Sequence, residues 1–270
     1  MNKVVLITGA SAGMGKETAK LLLQHGFTVY GAARRIENMK DLAMLGVKIL
    51  RMDVTDEESI VNGIHQLIAT EGRIDILINN AGFGSYGALE DVPIPDARYQ
   101  MEVNVFGPAR LSQLVIPYMR KNQYGKILNI SSIGGKFAMP LGGWYHASKF
   151  ALEGLSDSLR NELKPFGIDV IVIEPGGVKT EWAGVAMDNL MKTSGKGFYQ
   201  SIARKFVEQT GIIEPKSAEP MVIAQLILKA ILAKKPKIRY AGGYLATPLL
   251  LLKKLLPDRI FDYFMMNQIG

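Results

Sequence analysis

A tyrosine and a lysine four residues apart form the pair in this sequence best suited to proton transfer. Tyr145 and Lys149 lie in the stretch Tyr-His-Ala-Ser-Lys, and on a helix this spacing places both side chains on one face. A tyrosine with its ordinary pKa of about 10 is a weak acid–base catalyst at neutral pH. A nearby ammonium stabilises the phenolate and so favours proton transfer. Tyrosine and lysine also form ordinary surface pairs at this spacing, so the prediction needs support from other positions.

Further polar residues fall at the ends of predicted strands or on helices that pass the same edge of the predicted sheet. They are Ser131 and Ser132, the run Asn79-Asn80-Ala81-Gly82, Asn104, and the run Pro175-Gly176-Gly177-Val178-Lys179-Thr180. In open α/β sheets, ligands bind in the crevice outside the carboxyl ends of the strands. These positions therefore predict one site. His146 invites a role as a proton relay, but it is expected to point elsewhere because successive helical residues are about 100° apart.

A glycine-rich stretch near the start of the chain predicts a nucleotide phosphate site. The stretch runs from Thr8 to Gly15 with the spacing Gly-x-x-x-Gly-x-Gly, between the first predicted strand and the first predicted helix. Glycine lets the backbone turn tightly and approach a pyrophosphate, and the helix N-terminus offers free N–H groups to that anion. A simple turn is the alternative. The residues assigned to cofactor binding here are Gly9, Ser11, Gly13, Met14 and Gly15.

The end of the second predicted strand indicates which dinucleotide binds. An acidic residue there would accept hydrogen bonds from the ribose hydroxyls of NAD, whereas this chain has Ala33-Arg34-Arg35. A small neutral residue leaves room for a 2′-phosphate, and a guanidinium can bind it through charge-assisted hydrogen bonds. We assign the phosphate contact to Arg34, with Ser11 as a second donor, which predicts NADP(H) as the cofactor. Arg35 is interpreted as a solvated neighbour.

Short apolar runs alternate with longer amphipathic segments along the chain. Strands are predicted at 4–7, 28–32, 48–52, 74–78, 127–130 and 170–173, and helices at 16–24 and 57–70. This alternation is typical of βαβ crossovers and a mostly parallel sheet covered by helices on both faces. The prediction is a single doubly wound α/β domain of Rossmann type over residues 1–270.

The composition excludes several classes of function. The 270 residues include no cysteine, which excludes disulfides and thiolate chemistry and agrees with a cytoplasmic location. The three histidines lack clustered acidic partners, so no metal site is expected. The net charge of +7 favours anionic partners, but the dispersed basic residues argue against nucleic acid. No apolar stretch reaches about 18 residues, so no membrane span is expected.

Taken together, the motifs resemble those of the short-chain dehydrogenase/reductase family, in the family's order and spacing from Thr8 to Thr180. The resemblance implies a catalytic tetrad of Asn104, Ser132, Tyr145 and Lys149. Ser132 is preferred to Ser131 because it lies thirteen residues before Tyr145, the spacing usual in this family. The family interconverts carbonyls and alcohols by hydride transfer with a nicotinamide cofactor, which implies the same activity here.

The resemblance also implies a role for each of these residues. Ser132 would hold the substrate oxygen, and Tyr145 would exchange a proton with it. Lys149 would lower the pKa of Tyr145 and bind the nicotinamide ribose, while Asn104 would support a water that links Lys149 to solvent. The remaining implied cofactor contacts are Asp53 and Val54 at the adenine, Asn80, Ala81 and Gly82 along the adenosine, and Pro175, Gly176, Val178 and Thr180 at the nicotinamide end.

The substrate side is harder to interpret. Around 132–135 and 149–154 the sequence is similar to the hydroxysteroid and retinol dehydrogenase branch, which implies a bulky, apolar ketone or aldehyde. Residues 181–215 lack a regular pattern and are interpreted as a substrate lid, with an irregular surface connection as the alternative. Five large residues either line an apolar pocket or belong to the core: Phe83, Tyr86, Met139, Trp144 and Trp182.

The C-terminal extension, residues 240–270, combines the run Leu249 to Leu256 with an aromatic end. We favour a helix docked over the substrate pocket or against another subunit; a helix lying on a membrane surface is the alternative. The family resemblance implies a homodimer or homotetramer. Two other functions stay open: a 3-oxoacyl thioester reductase, and a non-catalytic NADP(H)-sensing protein. The retained tyrosine and lysine favour an enzyme.

Overall fold

The computed structural model describes residues 2–269 and contains one sheet of seven parallel strands in the order β3-β2-β1-β4-β5-β6-β7. The strands are β1 (Val4–Thr8), β2 (Thr28–Ala33), β3 (Lys48–Arg51), β4 (Ile76–Asn79), β5 (Gly125–Ile130), β6 (Ile168–Pro175) and β7 (Arg239–Gly242). The doubly wound, mostly parallel α/β fold that the sequence predicts is confirmed.

Helices cover both faces of this sheet. They are α1 (Gly13–Gln24), α2 (Lys40–Leu45), α3 (Glu57–Glu71), α4 (Ile94–Met101), α5 (Gly107–Lys121), α6 (Gly143–Leu163), α7 (Glu181–Ser194), α8 (Gln200–Ile213), α9 (Pro220–Leu232), α10 (Ala246–Leu255) and α11 (Asp258–Ile269). Strand β1 shows why both faces are apolar. Val5 and Ile7 pack against α1 and α9, while Val4 and Leu6 pack toward α3 and α5.

The strand order places the functional crevice. The chain runs outward from β1 through β2 to β3, and then returns to the other side of β1 as β4. The loops after β1 and β4 therefore diverge to opposite faces and leave a crevice at the carboxyl ends of the strands. Hydrogen bonds connect the end of β1 to the loop after β4. The Thr8 hydroxyl oxygen accepts them from the backbone amides of Asn80 and Ala81, each at 3.1 Å.

Several elements differ from the sequence-based expectations. Strand β4 begins at Ile76 rather than at residue 74. Strand β7 was not predicted, because its four residues begin with Arg239 and end in glycine. The segment 181–215 contains two regular helices, α7 and α8, although neither was predicted. Within residues 2–269, no helix has both the length and the apolar character needed to span a bilayer.

Candidate active site

A cavity of about 590 Å³ occupies the crevice at the carboxyl ends of the strands. It runs from Arg34 and Asp53, at the ends of β2 and β3, to Tyr145 on α6 and Trp182 on α7. Every residue that the sequence analysis assigned to catalysis or cofactor binding lines this cavity, except Gly15 and Asn104. These residues are spread over more than 170 positions from Gly9 to Thr180.

The glycine-rich loop has the geometry of an anion cradle. Gly9 and Gly13 have φ angles of 67° and 53°, in the left-handed region that favours glycine. A Cβ on Gly15 would overlap the Asn80 amide and the Gly9 carbonyl oxygen, which explains why Gly15 supports the loop from behind rather than lining the cavity. Helix α1 begins there with no side-chain cap at Ala12 and no acidic residue in its first turn. Its free N–H groups can therefore bind a pyrophosphate.

Two arginines lie at the other end of the cavity. Arg34 Nη1 donates a hydrogen bond of 2.6 Å to the Tyr99 hydroxyl and lies 3.9 Å from Asp53 Oδ2. Arg35 Nη2 instead lies 4.0 Å from the Glu181 carboxylate. Each guanidinium thus lies near one carboxylate, and the hydrogen bond to Tyr99 additionally orients Arg34 at the edge of the cavity.

The proton-transfer pair lies at the inner end of the cavity. Tyr145 and Lys149 are buried on one face of α6, with the ammonium 5.9 Å from the centre of the phenol ring. Lys149 Nζ donates a hydrogen bond of 2.9 Å to the Ile130 carbonyl at the end of β5. Ser132 follows β5, and its hydroxyl lies 3.5 Å from the Pro175 carbonyl oxygen. Because Ser132 is also a hydrogen-bond partner of Tyr145, the tyrosine, lysine and serine predicted for catalysis are brought together.

Burial dominates the acid–base properties of this pair. It raises the pKa of Tyr145 to about 12, opposed by a hydrogen bond with Ser132. The lowering of this pKa by Lys149 that the family resemblance implies is therefore not found. Burial also lowers the pKa of Lys149 to about 8, opposed by the negative charge of Glu153 one helical turn further along α6. At neutral pH, Tyr145 is consequently a protonated hydroxyl beside a mostly protonated lysine.

Asn104 lies behind the cavity wall in a π-helical turn, Glu102–Phe106, between α4 and α5. Its side chain holds the backbone of Phe83: the Phe83 amide donates to Oδ1, and Nδ2 donates to the Phe83 carbonyl, both at 2.8 Å. Nδ2 also donates to Ser148 Oγ at 2.9 Å. The side chain therefore fixes the loop after β4. Such π turns inside helices occur frequently at functional sites.

The two nitrogens of His146 both bind backbone groups, which agrees with the expectation that it does not relay protons. Nδ1 donates to the Gly134 carbonyl at 2.9 Å, and Nε2 accepts from the Met139 amide at 3.0 Å. Burial lowers the pKa of His146, which favours this neutral form. His146 thus shapes the loop 134–139 that forms one wall of the cavity.

Aromatic side chains surround Tyr145 at its end of the cavity. The Trp182 ring lies 5.0 Å from the Tyr145 ring and 5.9 Å from the Tyr86 ring, measured between centroids. Phe83, Tyr86, Met139 and Trp182 line the cavity, whereas Trp144 does not. Trp182 comes from α7, so the segment 181–215 supplies part of the wall around the reacting hydroxyl.

The C-terminal extension also reaches this cavity. Leu245 and Leu249 line it at the start of α10. Phe261 of α11 is 1% exposed and packs edge-on against Phe137 at 5.2 Å, beside the loop that follows Ser132. Helices α10 and α11 therefore pack beside this cavity.

The geometry thus combines a glycine-rich loop at a helix N-terminus, two arginines at one end of the cavity, and a buried tyrosine–lysine pair beside an apolar space. In the part of the chain that the structure describes, no cluster of three or more acidic or histidine side chains could hold a metal. Residues 3–190 match the sequence model of the family described as short chain dehydrogenase. The chain belongs to this family and is an oxidoreductase that uses a nicotinamide cofactor.

Particular relatives are similar over nearly the whole chain. The 3-ketodihydrosphingosine reductase of Bacteroides thetaiotaomicron is 40% identical over 266 residues, which cover 97% of this chain and 96% of the relative. A solved short-chain dehydrogenase from Streptomyces avermitilis is 35% identical, with a TM-score of 0.80 over 93% of this chain and 91% of that one. The closed form of a serine dehydrogenase complexed with NADP⁺ is 26% identical, with a TM-score of 0.77 over 89% and 94%.

Sequence reasoning gave no role to Tyr99 or Leu245, which line the site, and treated Leu249 only as part of a helix docked over the pocket. Tyr99 on α4 gave no motif, because a lone aromatic residue in an amphipathic helix is usually part of the core. Leu245 and Leu249 belong to a leucine-rich stretch, and their place in the wall depends on how α10 packs after β7. The hydrogen bond from Arg34 places Tyr99 at the proposed cofactor end of the cavity.

Proposed function

We propose that this protein is an NADPH-dependent reductase that converts a bulky, apolar ketone into the corresponding alcohol. The observation that carries the proposal is the buried, protonated Tyr145 beside Lys149, at the apolar end of a cavity whose other end carries Arg34. The lack of an acidic residue at Ala33, where NAD enzymes need one for the ribose hydroxyls, supports NADPH over NADH.

The residues that line the crevice fit this cofactor. The free N–H groups at the start of α1 would hold the pyrophosphate, with Gly9 and Gly13 allowing the backbone to approach it. Arg34 and Ser11 would bind the 2′-phosphate, and Asp53 and Val54 would meet the adenine. Asn80, Ala81 and Gly82 would line the adenosine, and Pro175, Gly176, Val178, Thr180, Tyr145 and Lys149 would position the nicotinamide and its ribose. The bound nicotinamide supplies the hydride.

Tyr145 acts as the general acid. The carbonyl oxygen of the substrate accepts hydrogen bonds from Ser132 and Tyr145, and negative charge develops on this oxygen as the carbonyl carbon is reduced. Tyr145 then donates its proton to the oxygen. Since burial raises the pKa of Tyr145 to about 12, the hydroxyl keeps its proton at neutral pH until the much more basic alkoxide forms.

Lys149 stabilises the charge that this proton transfer leaves on Tyr145. Its ammonium lies 5.9 Å from the tyrosine ring and is itself oriented by the Ile130 carbonyl. Asn104 acts less directly, by holding the loop at Phe83 that forms the wall of the site. A water supported by Asn104 would return a proton from solvent by way of Lys149.

The substrate side of the cavity favours a long apolar molecule. Aromatic rings of Tyr86 and Trp182 lie beside Tyr145, and the apolar wall continues outward through Leu249 and Leu245. Helices α7 and α8 would form a substrate lid. The relative at 40% identity is named for the reduction of 3-ketodihydrosphingosine, a long-chain ketone. A ketone that carries a long alkyl chain is therefore the first substrate class to test. A cytoplasmic homodimer or homotetramer is the form in which we expect this activity.

The experiment measures consumption of NADPH and of NADH with 3-ketodihydrosphingosine, steroid ketones, retinal, a 3-oxoacyl thioester and small aldehydes. We expect turnover with NADPH and an apolar ketone, reduced about 100- to 10,000-fold in Tyr145→Phe because the proton donor is lost. Cofactor binding, measured separately by quenching of protein fluorescence, should persist in the variant.

Other results would support the two alternatives. Turnover confined to the thioester would identify a 3-oxoacyl thioester reductase. Tight NADPH binding with no reduction of any carbonyl would support an NADP(H)-sensing protein. Equal efficiency with NADH and NADPH would contradict the assignment of Arg34 to the 2′-phosphate.

A further inference from the structure

The contact between Arg34 and Tyr99 joins two elements that are 65 residues apart in the sequence. Arg34 follows β2, and its side chain is 63% exposed, so it would otherwise be free to adopt many rotamers. The Tyr99 hydroxyl accepts a hydrogen bond of 2.6 Å from Arg34 Nη1. Both residues line the cofactor end of the cavity. The bond therefore restricts the guanidinium at the edge of the crevice.

Tyr99 is itself held in place. It lies half-buried on α4, and its ring packs edge-on against Phe83 with 5.3 Å between the ring centroids. The backbone of Phe83 is fixed by two hydrogen bonds to the Asn104 side chain. Arg34 is thus supported by a chain of contacts that leads from the loop after β2 to the π-helical turn after α4.

The chemistry of the acceptor matters as well as its position. Asp53 Oδ2 lies 3.9 Å from Arg34, and closer pairing with this carboxylate would compensate the guanidinium charge. A phenol is a neutral acceptor, so the hydrogen bond orients the guanidinium without placing a second negative charge beside it. The hydrogen bond to Tyr99 thus keeps Arg34 available for an anion.

We infer that Tyr99 is a positioning residue for cofactor selectivity, which orients Arg34 toward the 2′-phosphate of the dinucleotide. The inference rests on the proposed preference for NADPH and adds a determinant outside the loop after β2. Because Tyr99 acts through Arg34, its hydroxyl affects binding of a 2′-phosphate and does not affect binding of a dinucleotide that lacks one.

The test uses Tyr99→Phe, which removes the hydroxyl and keeps the ring that packs on Phe83. We expect the dissociation constants of NADPH and of 2′,5′-ADP to rise about 3- to 10-fold, the loss corresponding to one hydrogen bond. The dissociation constants of NADH and 5′-ADP should not change, and kcat at saturating NADPH should not change. Tyr263→Phe, at an exposed tyrosine of α11, serves as the control and should leave all four constants unchanged.

A double-mutant cycle with Arg34→Ala distinguishes positioning of Arg34 by Tyr99 from direct contact between Tyr99 and the phosphate. If Tyr99 acts through Arg34, Tyr99→Phe has no further effect on 2′,5′-ADP binding in the Arg34→Ala background. An effect of equal size in that background would overturn the inference, since Tyr99 would then contact the phosphate itself. Equal weakening of NADH and NADPH would also overturn it, since the role would then be structural.

Binding of 2′,5′-ADP and 5′-ADP by the wild-type protein distinguishes failure of the role of Tyr99 from failure of the proposed use of NADPH. If it binds 2′,5′-ADP more tightly than 5′-ADP and Tyr99→Phe leaves this preference unchanged, only the role of Tyr99 is contradicted. If the wild type shows no preference, the proposed use of NADPH fails, and the role of Tyr99 fails with it.

Discussion

The two sides of the crevice are built in different ways. The cofactor side uses backbone: glycines at 9, 13 and 15, the start of α1, and the hydrogen bonds that tie Thr8 to the loop after β4. The substrate side uses large side chains: Tyr86, Trp182 and Leu249 come from a loop and two helices that are far apart in the sequence. Tyr145 lies where the two sides meet.

This difference follows from what each side must bind. A pyrophosphate has one shape, and the backbone positions that surround it tolerate few residue types. An apolar pocket can be formed by many combinations of side chains of similar volume, so its composition is free to vary with the substrate. Substitutions on the cofactor side should therefore affect all substrates equally, while those on the substrate side should distinguish between ketones.

Among the substitutions that compare the two sides of the crevice, the largest effect is expected from Gly15→Ala. The added methyl group would overlap the Asn80 amide and the Gly9 carbonyl oxygen and would force the loop apart. Overpacking of this kind costs about 1–3 kcal/mol, which corresponds to roughly 5- to 150-fold weaker dinucleotide binding if the cost falls on the bound loop. Isothermal titration with NADPH measures this change.

Gly154→Ala is the matched control for this variant, because a Cβ at Gly154 on α6 would meet no atom within 4 Å. We expect it to bind NADPH normally and to gain up to about 1 kcal/mol of stability from its better helix propensity. Normal NADPH binding by Gly15→Ala would contradict the cradle that we assign to this loop.

A smaller and more selective effect is expected from Trp182→Leu. The substitution removes the indole ring that lies 5.0 Å from the Tyr145 ring, so bulky ketones lose an aromatic contact beside the reacting oxygen. We expect kcat/KM for a long-chain ketone to fall about 10-fold, with a smaller change for a small aldehyde. Steady-state kinetics at saturating NADPH measure both substrates.

Phe198→Ala is the control on the same segment, because Phe198 lies in the connection between α7 and α8 and is fully exposed. It should leave both substrates unaffected. A uniform loss for large and small substrates in Trp182→Leu would show that Trp182 supports the fold of the site rather than selecting the substrate.

The smallest expected effect is a pH dependence of kcat/KM, which comes from Lys149 beside Tyr145, where the two sides meet. Burial lowers the pKa of Lys149 to about 8, so the ammonium loses its proton as the pH rises through this value. Tyr145 keeps its proton throughout, since its pKa is about 12. The kcat/KM for ketone reduction should therefore be constant below about pH 8 and decrease above it.

Glu153→Gln sharpens this pH test. The Glu153 carboxylate raises the pKa of Lys149, so its neutralisation should move the decrease in rate to lower pH. A reduction rate that increases between pH 7 and 9 would contradict the role of the protonated lysine.

The parts of this molecule that could be predicted from its sequence share a physical cause. Buried strands need apolar residues on both faces, and the phosphate loop needs glycine at positive φ, so local residue types reveal them. The roles of Tyr99 and Leu249 depend instead on where distant elements pack. Helices α7 and α8 are as amphipathic as α1 and α3, so the sequence contained a signal for them that the interpretation of 181–215 as irregular did not use. The short edge strand β7 was missed because its basic and glycine residues resemble a loop.

The most direct test of the central claim follows the hydride. The protein is incubated with NADPH that carries deuterium at the transferred position of the nicotinamide, together with 3-ketodihydrosphingosine, and the product is examined by mass spectrometry. The account predicts an alcohol with one deuterium on the carbinol carbon. No alcohol from any apolar ketone, or an alcohol whose carbinol carbon carries no deuterium, would contradict it.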